Sequence, residues 1–116
     1  TGFGLLGHLT EMLAPGQGVR LALNDIPLLP GALAAATLGI HSTLYPDNYR
    51  ACGRYLEDGV PEVPEAALLF DPQTSGGLLL GVAPEHCDAL LSALRDAGTG
   101  AACIGEVIAG ERVEFA

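Results

Sequence analysis

The sequence contains no lysine, and its basic residues are five arginines, which are spread along the chain: Arg20, Arg50, Arg54, Arg95 and Arg112. With 14 acidic residues, the formal net charge is −9. Partners that are recognised through neutralisation of phosphate backbones or anionic membrane surfaces need clustered cations. The charge therefore argues against nucleic acid and membrane partners. An anionic nucleotide can still bind if backbone amides make the contacts and magnesium intervenes.

Long apolar runs are also absent, because glycine, proline or polar residues break every uncharged stretch before the roughly 18 residues that a membrane span requires. The start of the sequence lacks the basic region of a signal peptide. The three cysteines, Cys52, Cys87 and Cys103, form no C-x-x-C pair. An odd number of cysteines without such a pair argues against a disulfide framework or a zinc site. These features predict a cytoplasmic protein.

The length and composition predict one domain. A chain of 116 residues is long enough to bury about two-thirds of its unfolded surface without disulfides or metals. Hydrophobic residues make up 49% and charged residues 16% of the chain, whereas globular domains average about 25% charged residues. This excess of apolar surface fits a domain that packs against a partner half or subunit. It fits a well-buried domain rich in alanine and leucine equally well.

A glycine-rich turn opens the chain: residues 1–8 read Thr-Gly-Phe-Gly-Leu-Leu-Gly-His. A turn whose N–H groups approach phosphate oxygens has no room for a Cβ, and the helix that follows adds the positive end of its dipole. Thr1 could cap that helix. Such turns normally follow a strand, so we expect a fragment that lacks its upstream half. Alternatively, the glycines permit close packing of the helix.

A second polar loop follows at residues 71–77, which read Asp-Pro-Gln-Thr-Ser-Gly-Gly. It offers a carboxylate, an amide, two hydroxyls and two unobstructed backbone N–H groups. These groups can bind phosphate oxygens or position water, as phosphoryl transfer requires. The alternative is a capped turn that enters a strand, in which Asp71 and Thr74 bind local amides.

The first turn also satisfies the dinucleotide pattern G-x-G-x-x-G, with Asp25 standing 18 residues after Gly7. That fingerprint requires a preceding strand and continuing βαβ units. The pattern after Gly39 becomes irregular instead. We therefore reject a nicotinamide-dinucleotide site.

Apolar periodicity predicts the elements of the first half. It indicates a helix over residues 5–13, a half-buried strand over 19–23, an alanine-rich helix over 31–38 and a brief helix over 65–70. The stretch 40–64 is rich in glycine, proline, aspartate and asparagine and predicts a long loop with at most one short element.

In the second half, the continuous apolar run 77–83 predicts a central strand. Pro84 begins a helix that Gly98 stops. Residues 101–107 and 112–115 predict a hairpin or paired terminal strands. The whole order predicts an α+β fold, in which helices cover a mixed or antiparallel sheet.

The two glycine-rich segments together closely resemble the two signatures of the C-terminal domain of the selenophosphate synthetase (selenide, water dikinase) family, within the superfamily that resembles aminoimidazole ribonucleotide synthetase. Residues 26–32 (Ile-Pro-Leu-Leu-Pro-Gly-Ala) and 104–108 (Ile-Gly-Glu-Val-Ile) are similar to family segments in the same order. The resemblance implies a partly ferredoxin-like fold. It also implies that residues 1–116 form the C-terminal domain of a two-domain ATP-dependent synthetase whose N-terminal catalytic half is absent.

The family makes selenophosphate from selenide, ATP and water, with magnesium, and releases AMP and phosphate. The resemblance implies that the missing half supplies the nucleophile and the metal carboxylates and forms a homodimer, so that no catalytic or metal-binding residue lies in this chain and no cysteine here is the nucleophile. The domain would close over ATP. The residues expected to bind the nucleotide are Thr1, Gly2, Gly4, His8, Thr74, Ser75 and Gly76.

Residues 45–48, Tyr-Pro-Asp-Asn, match the corresponding family loop only loosely, so no role is transferred to them. Two alternatives stay open. One is a sister ATP enzyme of the same superfamily in purine or thiamine biosynthesis. The other is a non-enzymatic module for small-molecule binding or oligomerisation.

Overall fold

The computed structural model describes all residues, 1–116, and confirms the α+β class. It contains five helices and three strands: α1 (Gly4–Met12), β1 (Gln17–Leu21), α2 (Ala32–Thr37), α3 (Tyr45–Ala51), α4 (Pro64–Ala67), α5 (Pro84–Asp96), β2 (Gly105–Ala109) and β3 (Val113–Phe115). Three short 3₁₀ turns lie at Leu23–Asp25, Gly53–Tyr55 and Leu68–Phe70. None of the helices combines the length and hydrophobicity needed to cross a lipid bilayer.

The three strands form one mixed sheet with β1 in the centre. β2 pairs with β1 in antiparallel orientation, and β3 pairs with β1 in parallel orientation. The predicted hairpin between β2 and β3 is therefore wrong, because β1 lies between them. Gly18 makes this arrangement possible, since a Cβ there would lie 2.1 Å from the carbonyl oxygen of Gly110. The chain that connects β2 to β3 thus crosses directly over a glycine of β1.

The core lies between the sheet, α1 and the turn that follows α4. Alternate residues of β1, Val19 and Leu21, are buried as the half-buried strand predicted. The hydrophobic residues that are less than one-tenth exposed are Leu6, Leu9, Val19, Leu21, Leu23, Cys52, Tyr55, Leu56, Ala66, Leu69, Phe70 and Val113.

The start of α1 lies directly against the chain at Leu69 and Phe70. Gly4 has a φ of +73°, and a Cβ at this position would lie 2.7 Å from the carbonyl oxygen of Leu69. Both the conformation and the close approach therefore require glycine. The close approach at Gly4 fits the packing interpretation of the glycine-rich turn, and the role of Gly4 in nucleotide binding stays a prediction.

The predicted central strand at residues 77–83 is wrong. These residues belong to no strand, and both sides of the central strand β1 are occupied by β2 and β3. Leu78 is 92% exposed. The 40–64 region is also more ordered than predicted, because it contains α3 and a 3₁₀ turn. The other predicted helices are present, with bounds that differ by a few residues.

Candidate functional site

The two glycine-rich segments meet at the side chain of Asn48. Its amide nitrogen Nδ2 donates one hydrogen bond to the carbonyl oxygen of Gly2 and another to that of Phe70, each of 2.7 Å. Asn48 is 7% exposed and is the buried polar side chain of the core. Both N–H groups of the amide are thus used, which is what a buried amide requires. One side chain therefore connects the start of the chain to the entrance of the second segment.

Helix α3 positions this amide through its aromatic residues. Pro46 occupies the first turn, where a missing N–H costs nothing. Tyr45 packs edge-on against Phe70 with ring centroids 5.6 Å apart, and the Tyr49 ring lies 4.9 Å from the same ring. Because Asn48 lies three residues after Tyr45, it projects from the same side of the helix. The aromatic contacts thus fix the depth at which the amide enters the core.

Asp71, the first residue of the second segment, is held from another part of the chain. Its Oδ1 accepts a 2.7 Å hydrogen bond from the backbone N–H of Ser42. The expected local amide partner is therefore replaced by one that lies 29 residues away. The pKa of Tyr45 is raised, chiefly by burial and then by the neighbouring Tyr49 and Asp71. The entrance to this segment is thus tied to both α3 and the chain before it.

Thr1 and His8 form a small network within the first segment. The hydroxyl of Thr1 contacts Nε2 of His8, and Nδ1 of His8 lies 3.3 Å from a carboxylate oxygen of Glu11. Thr1 does not cap the helix as predicted, because Phe3 occupies the N-cap position and makes no side-chain cap. The helix begins at Gly4, so Thr1 lies two residues before the N-cap position.

Thr74, Ser75 and Gly76 lie in an exposed loop. No hydrogen bond joins them to residues 1–8 or to the backbone elsewhere. Ser75 has a φ of +53° and is the only residue other than glycine with a positive φ. This conformation costs about 1 kcal/mol or more for a residue with a side chain. The structure thus brings Gly2 and Gly4 to the entrance of the second segment, whereas the polar tip of that segment projects into solvent.

The arginine ion pairs of the sheet involve no residue of either segment. Arg20 pairs with Glu106 and Glu114, and Arg112 also pairs with Glu114. No three histidine, cysteine, aspartate or glutamate side chains come close enough together to hold a metal ion. A surface depression of about 500 Å³ is lined by residues 58–61 and 113–115 and includes neither segment. Because it lacks the glycine-rich loops, we place the candidate site at the loops and not in this depression.

The residues present fit a phosphate group better than they fit a metal ion. The backbone N–H groups of residues 74–77 have no backbone partner, and the hydroxyls of Thr74 and Ser75 have no hydrogen bond. Such donors suit phosphate oxygens. Magnesium prefers carboxylate ligands in octahedral geometry, and the chain gathers no such set.

The model of the AIR synthase related protein C-terminal domain family matches residues 1–116. The chain belongs to this family. Its curated relatives include proteins named selenide, water dikinase. The protein of this name from Paraburkholderia xenovorans is 46% identical over 121 residues, covering 98% of this chain and 33% of the relative.

Further relatives carry the same name. The protein from Pelobacter propionicus is 43% identical over 111 residues, covering 93% of this chain and 32% of the relative. The protein from Salmonella typhimurium is 43% identical over 110 residues, covering 93% of this chain and 31% of the relative. The chain thus spans about a third of the length of the curated relatives it matches.

Sequence reasoning missed Asn48 as a functional residue. It lies in the region predicted to be a loop, and a single asparagine among glycine, proline and aspartate residues is typical of a turn. The available signal was the spacing of Tyr45 and Tyr49, four residues apart, which is helical spacing. A helix with one aromatic face and a polar residue on that face would have pointed to a buried amide.

Proposed function

We propose that this chain is the C-terminal domain of a selenide, water dikinase. The whole protein would convert selenide, ATP and water to selenophosphate, AMP and phosphate. The observation that carries the proposal is the hydrogen-bonded bridge of Asn48. It joins the first segment to Phe70, the residue immediately before the second segment, and both segments resemble the family's signatures. The 46% sequence identity with a protein named selenide, water dikinase, in an alignment that covers 98% of this chain, supports the proposal. The sister enzymes and the non-enzymatic module have no comparable support.

In this proposal, the loop tip at Thr74, Ser75 and Gly76 binds the phosphates of ATP. Its hydroxyls and free backbone N–H groups donate hydrogen bonds to phosphate oxygens, and the strained Ser75 holds the loop in the conformation that presents them. Gly2 and Gly4 fix the position of the other segment. Thr1 and His8 border the cleft between this domain and the N-terminal domain of the longer protein, where the phosphates bind.

Magnesium, when bound, neutralises the charge on the phosphates as they are transferred. Its carboxylate ligands and the nucleophile would come from the N-terminal domain of the longer protein, because this chain gathers no ligand set. We propose that the N-terminal domain is the partner of residues 1–116 across the cleft. We also propose that the N-terminal domain forms a homodimer and that the protein lies in the cytoplasm. The role of residues 1–116 is to close over the phosphates and exclude water, which strengthens every hydrogen bond in the site.

The test uses the full-length protein with ATP, magnesium and selenide under anaerobic reduction, with phosphorus NMR to identify the products. Thr74→Val and Ser75→Ala each remove one hydroxyl with little change in size. The matched control is Thr99→Val, at an exposed position outside the glycine-rich segments. We expect selenophosphate from the wild type and the control, and at least about a tenfold lower kcat in the two loop variants, as for loss of a donor to the transition state.

Absence of selenophosphate from the wild type would refute the proposed activity and favour a sister enzyme. Wild-type rates in both loop variants would leave the activity in place but remove the loop from it. The chain 1–116 alone should consume no ATP in response to selenide, since the nucleophile and metal ligands are assigned to the other domain.

A further inference from the structure

Residues 72–82 make no hydrogen bond with any other backbone group of the chain. Their side chains make none either. In folded proteins, nearly all buried backbone N–H and C=O groups are paired, and most exposed ones lie in polar loops. This stretch is different because its second half is apolar. Residues 77–83 read Gly-Leu-Leu-Leu-Gly-Val-Ala.

The apolar side chains of this stretch point to two sides. Leu79 packs against the core, whereas Leu78 is 92% and Leu80 is 54% exposed. Alternate residues of a strand face opposite sides of a sheet, and a continuous apolar run is typical of a strand that is buried on both sides. The side chain on one side of the stretch is thus packed within the chain, and the side chains on the other side are exposed to solvent.

The apolar half of the stretch, residues 77–82, also lacks the charges and prolines that protect a free strand edge. No charged residue lies between Asp71 and Glu85, whereas natural edge strands carry charges, bulges or prolines that block further pairing. The adjacent helix α5 is incompletely packed too, because it buries no residue although its apolar side chains share one face. A strand added beside residues 77–82 would pair their free backbone N–H and C=O groups.

The position of Thr1 indicates where that strand comes from. The carbonyl oxygens of Gly2 and Phe70 bind the same amide nitrogen of Asn48. The chain that leads into Thr1 therefore arrives beside the point at which the stretch 72–82 departs. Two stretches of polypeptide therefore leave the domain from one place. One is the chain upstream of Thr1, followed towards the N-terminus, and the other is residues 72–82, followed towards the C-terminus.

We propose that residues 77–82 are a β-strand that pairs, in antiparallel orientation, with the residues immediately upstream of Thr1 in the longer protein. The proposal rests on the chain being the C-terminal part of a longer protein, as proposed above, and not on the activity of that protein. In the relatives, about two-thirds of the length lies outside the matched region. A longer protein of this kind would therefore contain the polypeptide that the proposal requires. The orientation follows from the shared starting point at Gly2 and Phe70.

This occupant is favoured over a second copy of the chain. A covalently connected segment that starts next to the acceptor strand has a high effective concentration there, whereas a second copy must bring in another surface. The incoming strand should be apolar on the side that meets Leu78 and Leu80. It would also hold the first glycine-rich turn behind a strand, where phosphate-handling turns normally lie.

Two measurements on the full-length protein test the proposal. Hydrogen–deuterium exchange, with mass spectrometry of the peptide over residues 77–83, needs no substitution. We expect exchange at least about a hundredfold slower than in an unstructured peptide of the same sequence. Exchange at the rate of that peptide would overturn the proposal.

The second measurement identifies the occupant. A photo-activatable benzoylphenylalanine replaces Leu78, with Met12 as the control position because it is 53% exposed and lies at the far end of α1 from Thr1. Irradiation should join position 78 to the dozen or so residues upstream of Thr1, and position 12 should give no such product. Products that map to a second copy, or only to distant parts of the chain, would overturn the proposed pairing even if the activity is confirmed.

Discussion

The side-chain amide of Asn48 donates a 2.7 Å hydrogen bond to the carbonyl oxygen of Gly2, 46 residues earlier in the chain. Its second N–H binds the carbonyl oxygen of Phe70. One buried side chain thus contributes to the relative position of the two glycine-rich segments, together with the packing of Gly4 against Leu69. Because both carbonyl groups would lose their partner together, this amide should be unusually sensitive to substitution.

Asn48→Ala should lower the free energy of unfolding by about 2 kcal/mol or more, since it leaves carbonyl oxygens without donors. Asn48→Asp should be worse at neutral pH, because a carboxylate cannot donate and repels both oxygens. Protonation of the introduced carboxyl restores one donor, so this variant should regain part of its stability as the pH falls towards 4. Urea unfolding of the full-length protein at pH 7 and at lower pH measures both effects.

The control is Asn24→Asp, an exposed asparagine without a side-chain hydrogen bond. It should unfold within about 0.5 kcal/mol of the wild type. Equal stability of the two aspartate variants would show that the bridge at residue 48 contributes nothing.

Gly4→Ala tests the close approach between α1 and Leu69. Gly4 and Gly39 share a φ of +73°, but a Cβ at Gly39 would meet nothing within 4 Å. Gly39→Ala should therefore cost only the conformational term, about 1 kcal/mol. Gly4→Ala adds the clash with the carbonyl oxygen of Leu69 and should cost at least about 2 kcal/mol more. Denaturant unfolding of the two variants gives the difference, and equal losses would contradict the contact.

Ordinary sequence rules predicted much of the fold because the helices carry local signals: apolar periodicity along the helix, and proline or glycine at its ends. The helix predicted at residues 5–13 and the one that begins at Pro84 are present. The strand predicted at 77–83 is wrong because apolar periodicity indicates which residues become buried. It does not indicate which polypeptide they pack against. The hairpin failed because pairing across Gly110 competes with pairing to β1, and only the glycine at position 18 reveals the close crossing.

The candidate site was predictable only in part for a similar reason. Composition identified the hydroxyls and glycines of both segments, but their distance apart depends on Asn48 and on the aromatic packing of α3. These are contacts between residues far apart in sequence. Local patterns carry no information on them.

Ser75→Gly separates stability from function at the loop tip. Glycine adopts the left-handed conformation of Ser75 without strain, so the variant should gain up to about 1 kcal/mol in stability. If the hydroxyl binds phosphate, the same variant should lose activity with ATP and selenide. Thermal unfolding and the selenophosphate assay measure the two quantities. A variant that is both more stable and fully active would contradict a role for this hydroxyl.

Glu114 makes the stability of the sheet depend on pH. Hydrogen bonds from Arg112 and then from Arg20 hold the pKa of Glu114 below its ordinary value. A lowered pKa contributes stability that is complete at neutral pH and is lost as the pH falls through the folded-state value, below about pH 4. Glu114→Gln should therefore lower the midpoint of thermal unfolding slightly at pH 7, and the difference should shrink below about pH 4. Glu62→Gln, at an exposed position without an ion pair, should show no difference at either pH.

The buried and the exposed thiol, Cys52 and Cys103, should differ sharply in reactivity. Burial raises the pKa of Cys52, which is 1% exposed, and a hydrogen bond with Thr10 opposes this only in part. Because the thiolate is the reactive form, Cys52 should resist iodoacetamide at pH 8 until the protein unfolds, whereas the exposed Cys103 should be alkylated readily. Peptide mass spectrometry after timed labelling, with and without urea, resolves the two sites. Alkylation of Cys52 in the native protein as fast as that of Cys103 would contradict the burial of Cys52 and mean that the core around α3 opens readily.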